Sequence, residues 1–108
     1  MFGLFGESRQ RLFDKEMKAR GAKIPSACAK ELVATALSTL PTDSHGRPGT
    51  HGRNLGDDAV LHFAAWSSAI VNSAAGRPSR RTPIDPELYP ETAALIRGIL
   101  SRHGIKAG

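Results

Sequence analysis

Residues 59–76 read AVLHFAAWSSAIVNSAAG and contain no Asp, Glu, Lys or Arg. Whether this run crosses a membrane or lies inside a protein core decides the fold. A membrane span needs ~20 predominantly apolar residues. This one is shorter, rich in alanine, and interrupted by three serines, His62 and Asn72. It reads instead as a core helix. Asp57 or Asp58 supplies a carboxylate for the helix N-terminus, and the helix runs through Phe63, Trp66, Ile70 and Val71 to about Ala75. Gly76 and Pro78 end it. Being apolar nearly all round, it is expected at the centre, covered by the other elements.

Three further helices surround it. Over residues 26–40, Cys28, Ala29, Leu32, Val33, Ala36, Leu37 and Leu40 recur at helical spacing between Pro25 and Pro41. Over 8–20, Leu12, Phe13 and Met17 form a narrow stripe, with Arg11, Asp14, Lys15 and Lys18 opposite and Gly21 as the terminator. That narrowness places the first helix on the outside of the domain, with Phe2, Leu4 and Phe5 tucking beneath it. The last helix starts at Pro90 after a short turn at 85–89, with Tyr89, Ala93, Ile96, Ile99, Leu100 and His103 facing inward. Gly104 followed by Ile105 predicts a left-handed cap with a hydrophobic contact behind it. Gly98 costs this helix about 1 kcal/mol relative to alanine, for which close approach of a neighbouring helix is one reason. The expected fold is all-α: a compact four-helix bundle-like single domain over 1–108. A long Gly/Pro-rich loop at 41–56 joins helices 2 and 3, and a basic turn spans 76–85.

At 108 residues, with 40% hydrophobic and 23% charged residues, the chain has globular composition and the size of one core. A single cysteine, Cys28, permits no internal disulfide, which suits a reducing, cytoplasmic setting. The N-terminus has no basic segment ahead of its short apolar run and no cleavage site behind it, so it does not read as a leader. Net charge is +5, with seven basic against four acidic side chains over 1–40 and one acidic side chain over 58–75. Basic flanks around an uncharged centre suit phosphate, acidic protein or membrane surfaces and select none of them.

The loop holds HGR twice, in SHGRPGTHGRNLGDD at 44–58. Arg47 and Arg53 are placed to clamp phosphates, but Asp57 and Asp58 would repel an anion at the following helix, and neither a Walker A loop nor a dinucleotide fingerprint is present. His45 and His51 with Asp43 or Asp57 make a poor metal set, since no paired ligand motif accompanies them. Asp58, His62 and Trp66 share a helical face, which offers a carboxylate beside an imidazole. The only thiol, Cys28, lies on an apolar face, where an inert core cysteine is the usual outcome. No catalytic residue, metal or cofactor is therefore expected, and the chain reads as a non-enzyme.

The basic turns give the functional expectation. If helices alternate up and down, the 1–2 and 3–4 turns share one end and gather Arg20, Lys23, Arg77, Arg80 and Arg81. The long loop with Arg47 and Arg53, together with Arg102, His103 and Lys106, then falls at the other end. Arginines in turns commonly anchor protein interfaces. The leading expectation is a small non-enzymatic interaction module (an adaptor, inhibitor, regulator or assembly subunit) that binds a protein partner through its loops and bundle ends. The alternative is a sequence-tolerant nucleic-acid binder using the basic turns, although no polar recognition helix or exposed aromatic platform supports it. A homo-oligomer stays open, because the Ala-rich third helix is coverable by its own bundle or by a second copy.

Overall fold

The structure, a computed structural model, describes residues 2–39, 55–77 and 88–107, with side chains from Ser8 in the first segment and from Gly56 in the second. Four helices form in the expected order: α1 (Phe2–Ala19), α2 (Ser26–Thr39), α3 (Leu55–Ala74) and α4 (Pro90–Arg102). Among the described residues there is no strand. The loop at 40–54 and most of the basic turn, 78–87, lie outside the described residues.

Three helix ends are built alike, and local chemistry dictates them. Gly21, Gly76 and Gly104 adopt φ of 80°, 69° and 73°, where a Cβ would crowd the backbone. After each, an N–H returns to a carbonyl left open by the last turn: Ala22 to Met17 at 3.0 Å, Arg77 to Asn72 at 2.8 Å, and Ile105 to Leu100 at 3.0 Å. Ala22 is buried and Ile105 packs on the core, so two of the three caps also gain an apolar contact. At the opposite end of α4, Tyr89 precedes Pro90, whose missing N–H falls where a helix needs none.

Two helix starts differ from the sequence reading. α1 begins at Phe2 rather than near Ser8, so the residues expected to tuck beneath it form its opening turns. Extending an existing helix adds one bond per residue fixed, whereas nucleation is the costly step, so Gly3 and Gly6 do not stop it. α3 begins at Leu55, which places Asp57 and Asp58 inside the first turn rather than at the cap. Their charges still meet the positive end of the helix dipole.

One core cluster takes side chains from all four helices. Phe13, Leu32, Val60, Phe63, Ile96 and Leu100 are fully inaccessible, and Trp66 is 2% exposed. Each such side chain contributes about 1.5–3 kcal/mol on burial, more than a typical surface ion pair. α3 is central as expected and touches the other three helices. α1 lies along it in parallel: Arg9 pairs with Asp57, Met17 meets Ser68, and Arg20 meets Asn72, so both sequences advance together.

The up-down-up-down arrangement holds for the first three helices and fails at the fourth. Tyr89, just before α4, packs tilted against Trp66 in the middle of α3 with ring centroids 4.6 Å apart. α4 then ends against Glu31, in the second turn of α2. Arg102 and His103 thus lie toward the Ser26 end of α2, not at the pole where α2 runs into 40–54. Gly98 is corrected as well: it is exposed, and a Cβ there meets nothing within 4 Å among the described residues.

Candidate functional site

The end where α1 and α3 finish is tied together by Asn72. Its Nδ2 donates to the Arg20 carbonyl at 2.9 Å, while its backbone carbonyl accepts from Arg77 N–H at 2.8 Å. Asn72 is 2% exposed. An amide in the last turn of one helix therefore ties down the turn that leaves another, joining the α1–α2 and α3 ends.

Of the seven side chains expected to contact a partner, Arg20, Lys23 and Arg77 are described. Lys23 and Arg77 stand exposed at this end. Arg20 behaves differently: its Nε donates to Glu16 at 2.7 Å, and both side chains are only 14% exposed. It braces the end of α1 more than it presents a charge. Arg47, Arg53, Arg80 and Arg81 lie outside the described residues, as do His45 and His51.

Beside Lys23 the surface is hollowed into an open groove of about 600 Å³. Met17, Ala22, Ile24 and Pro25 give it an apolar floor, and Asp14, Lys18, Lys23 and Ser26 stand along it. Its origin is the cap at Gly21. The left-handed residue turns the chain sharply off α1, Ala22 folds back onto Met17, and Ile24–Pro25 lead directly into α2. Arg11, Lys15 and Lys18, spaced i, i+4 and i+7, are exposed along one side of α1 and continue the positive edge. A smaller hollow of about 220 Å³ lies farther up the same helix, between Ser8, Arg11, Leu12, Lys15 and Asp57. In the sequence the only trace of this groove is Ala22, Ile24 and Pro25 directly after a left-handed cap.

The N-terminus of α3 is occupied by an ion pair between its own Asp57 and Arg9 of α1. The Arg9 guanidinium lies across Gly56, where a Cβ would come within 2.4 Å of its Nη2, and Nε sits 3.6 Å from Asp57 Oδ1. His62 stacks on Trp66 with centroids 5.2 Å apart and planes at 15°, and Trp66 also contacts Phe63 and Tyr89. Of the expected Asp58–His62–Trp66 face, His62 and Trp66 join Tyr89 in an aromatic cluster that helps seat α4 on α3. Cys28 is fully buried, and loss of solvation, reinforced by the charge of Glu31, pushes its thiol up to about 11. A thiol held protonated is a weak nucleophile.

One polar cluster was not foreseen. Glu31 accepts a hydrogen bond from His103, whose Nε2 is 2.7 Å from Oε1, and also pairs with Arg102. An ionised carboxylate only accepts, so the His103 Nε2 carries the proton. The bond from His103 chiefly holds the Glu31 carboxyl below its usual range, against the opposing effect of partial burial, with Arg102 adding to the lowering. Nothing in the local sequence of α2 pairs Glu31 with residues more than seventy positions away.

Among the described residues no three His, Cys, Asp or Glu side chains converge on a metal position, and no helix is long and apolar enough to cross a membrane. No protein-family model, curated protein or solved structure matches this chain.

Proposed function

We propose that this chain is a non-enzymatic helical interaction module that binds a segment of a partner protein at the α1–α2 turn. The observation that carries the reading is the groove of about 600 Å³ with its apolar floor and its two lysines, Lys18 and Lys23, against one acid, Asp14. A floor of Ile24 and Pro25 above the buried Met17 and Ala22 rewards apolar side chains of an incoming peptide. The lysines favour carboxylates flanking them and raise the encounter rate. The rigid backing given by Asn72 and the Gly21 cap keeps the ordering cost of binding low. The matching ligand is an extended or helical segment with one or two large apolar side chains next to Asp or Glu.

The test is affinity capture from the source organism with the wild type and with Lys18→Glu/Lys23→Glu, both checked for helical circular dichroism. The expected result is one enriched protein, lost with the double variant and recovered as a direct binder when both components are purified. Absence of any protein sensitive to the charge reversal sinks the proposal.

A second reading rests on the exposed Arg11–Lys15–Lys18 line of α1, continued by Lys23. Such a row suits a phosphate backbone by counterion release and predicts affinity for DNA or RNA that falls steeply with salt. Binding that is absent at low salt dismisses it.

A further inference from the structure

Gly98 weakens the interior of α4, and nothing among the described residues uses the space it leaves, since no atom lies within 4 Å of a Cβ built there. Its setting supplies a reason. Glu91, Leu95, Gly98 and Arg102 follow i, i+4, i+7 and i+11, so they form one line along the helix. All four are exposed. Leu95 is 41% exposed, and Leu88, just ahead of the helix, is 66% exposed; they are the exposed large hydrophobics of the described residues. The outer face of α4 therefore carries a projecting leucine, a glycine depression one turn on, an acid toward its start and a base at its end.

That pattern is its own complement. If a second α4 is laid antiparallel across the first, with a two-fold axis between positions 95 and 98, Leu95 of each copy stands over Gly98 of the other. The same axis sets Glu91 of each copy opposite Arg102 of the other. One register satisfies both pairings, which an isologous contact requires. Arg102 already touches Glu31 of its own chain, but its side chain is 63% exposed, and a guanidinium has five donors to share.

We propose that the outer face of α4 docks on a second copy of this chain as an antiparallel, two-fold pair. The surface is distinct from the α1–α2 groove, so the pair presents two grooves and gains avidity toward a partner with repeated segments. A contact built on one thirteen-residue helix falls short of the ~1,200 Å² of a standard interface. The dimer is therefore weak and forms only at raised concentration.

Sedimentation velocity on the full chain, from a few micromolar to about 1 mM, reads the dissociation constant directly. The expected result is a reversible monomer–dimer equilibrium that weakens tenfold or more in Leu95→Gln, Gly98→Gln and Glu91→Arg. Glutamine is a better helix former than glycine, so Gly98→Gln keeps the fold while filling the depression, and circular dichroism confirms it. A monomer throughout the range overturns the proposal. So does a dimer whose affinity none of the three changes moves, because it uses another face. Either result leaves the charge-reversal test at Lys18 and Lys23 standing on its own.

Discussion

Asn72→Asp replaces one amide nitrogen by oxygen and leaves volume and shape unchanged, yet it should be among the most damaging single changes in this molecule. Asn72 is 2% exposed, and its Nδ2 donates to the Arg20 carbonyl at 2.9 Å. An ionised carboxylate there withdraws the donor and sets an oxygen against an oxygen. Loss of such a bond costs about 1–3 kcal/mol, and burial of the charge adds to it. Raising the new carboxyl by about three units above an unfolded value near 4 corresponds to ~4 kcal/mol at pH 7. Folding stability for a chain of 108 residues lies at roughly 5–16 kcal/mol, so the change removes a large share of it. The sign of the pH dependence is the distinctive part. With its folded value raised, the new carboxyl destabilises fully above that value. The loss shrinks as pH falls and is smallest below the unfolded value near 4, where the protonated group can again donate to Arg20. Urea unfolding of variant and wild type, followed by the fluorescence of Trp66, the only tryptophan, at about pH 7.5 and about pH 4 measures the difference. A difference below ~1 kcal/mol at the higher pH, or one that does not shrink at the lower, refutes the reading of Asn72 as the tie between the ends of α1 and α3.

Three other outcomes follow from the same structure. Gly98→Ala, measured at concentrations where the chain is monomeric, should raise stability by up to about 1 kcal/mol, or roughly 4 °C in Tm, because nothing among the described residues opposes the added methyl; calorimetry showing destabilisation would mean that the position is packed. Glu31→Gln should lower stability at neutral pH and flatten the acid limb of the stability curve. The carboxyl of Glu31 is held low when folded, so its contribution is complete above the unfolded carboxylate value and disappears as pH falls through the folded one; an unchanged acid limb in denaturant titrations would contradict this. Cys28 should resist alkylation in the native state. With its thiol pushed from 9.0 up to about 11, thiolate at about pH 8 is roughly 100-fold scarcer than in the unfolded chain, and burial slows attack further; native labelling within tenfold of the denatured rate would show that α2 opens.

What the sequence decided by itself was whatever local backbone chemistry and hydrophobic period control. Gly21, Gly76 and Gly104 stop helices because only a residue without Cβ takes their φ at little cost, and that is visible from one residue and its neighbours. The uncharged run at 59–76 had to be the central helix, because no solvent-facing side could be drawn on it. The inert setting of Cys28 followed from its place on an apolar face. Tertiary structure decided everything that depends on which helices meet and in what register. Glu31 finds His103 and Arg102, and Gly98 faces outward although close approach of a neighbouring helix was one reason for a glycine there. The groove belongs to the same class: Met17, Ile24 and Lys23 are ordinary residues until the turn at Gly21 folds them around one hollow. Hydrophobic spacing fixes which face of a helix is buried, but it does not fix which other helix buries it. Sites made between helices therefore wait on the packing that brings their residues together.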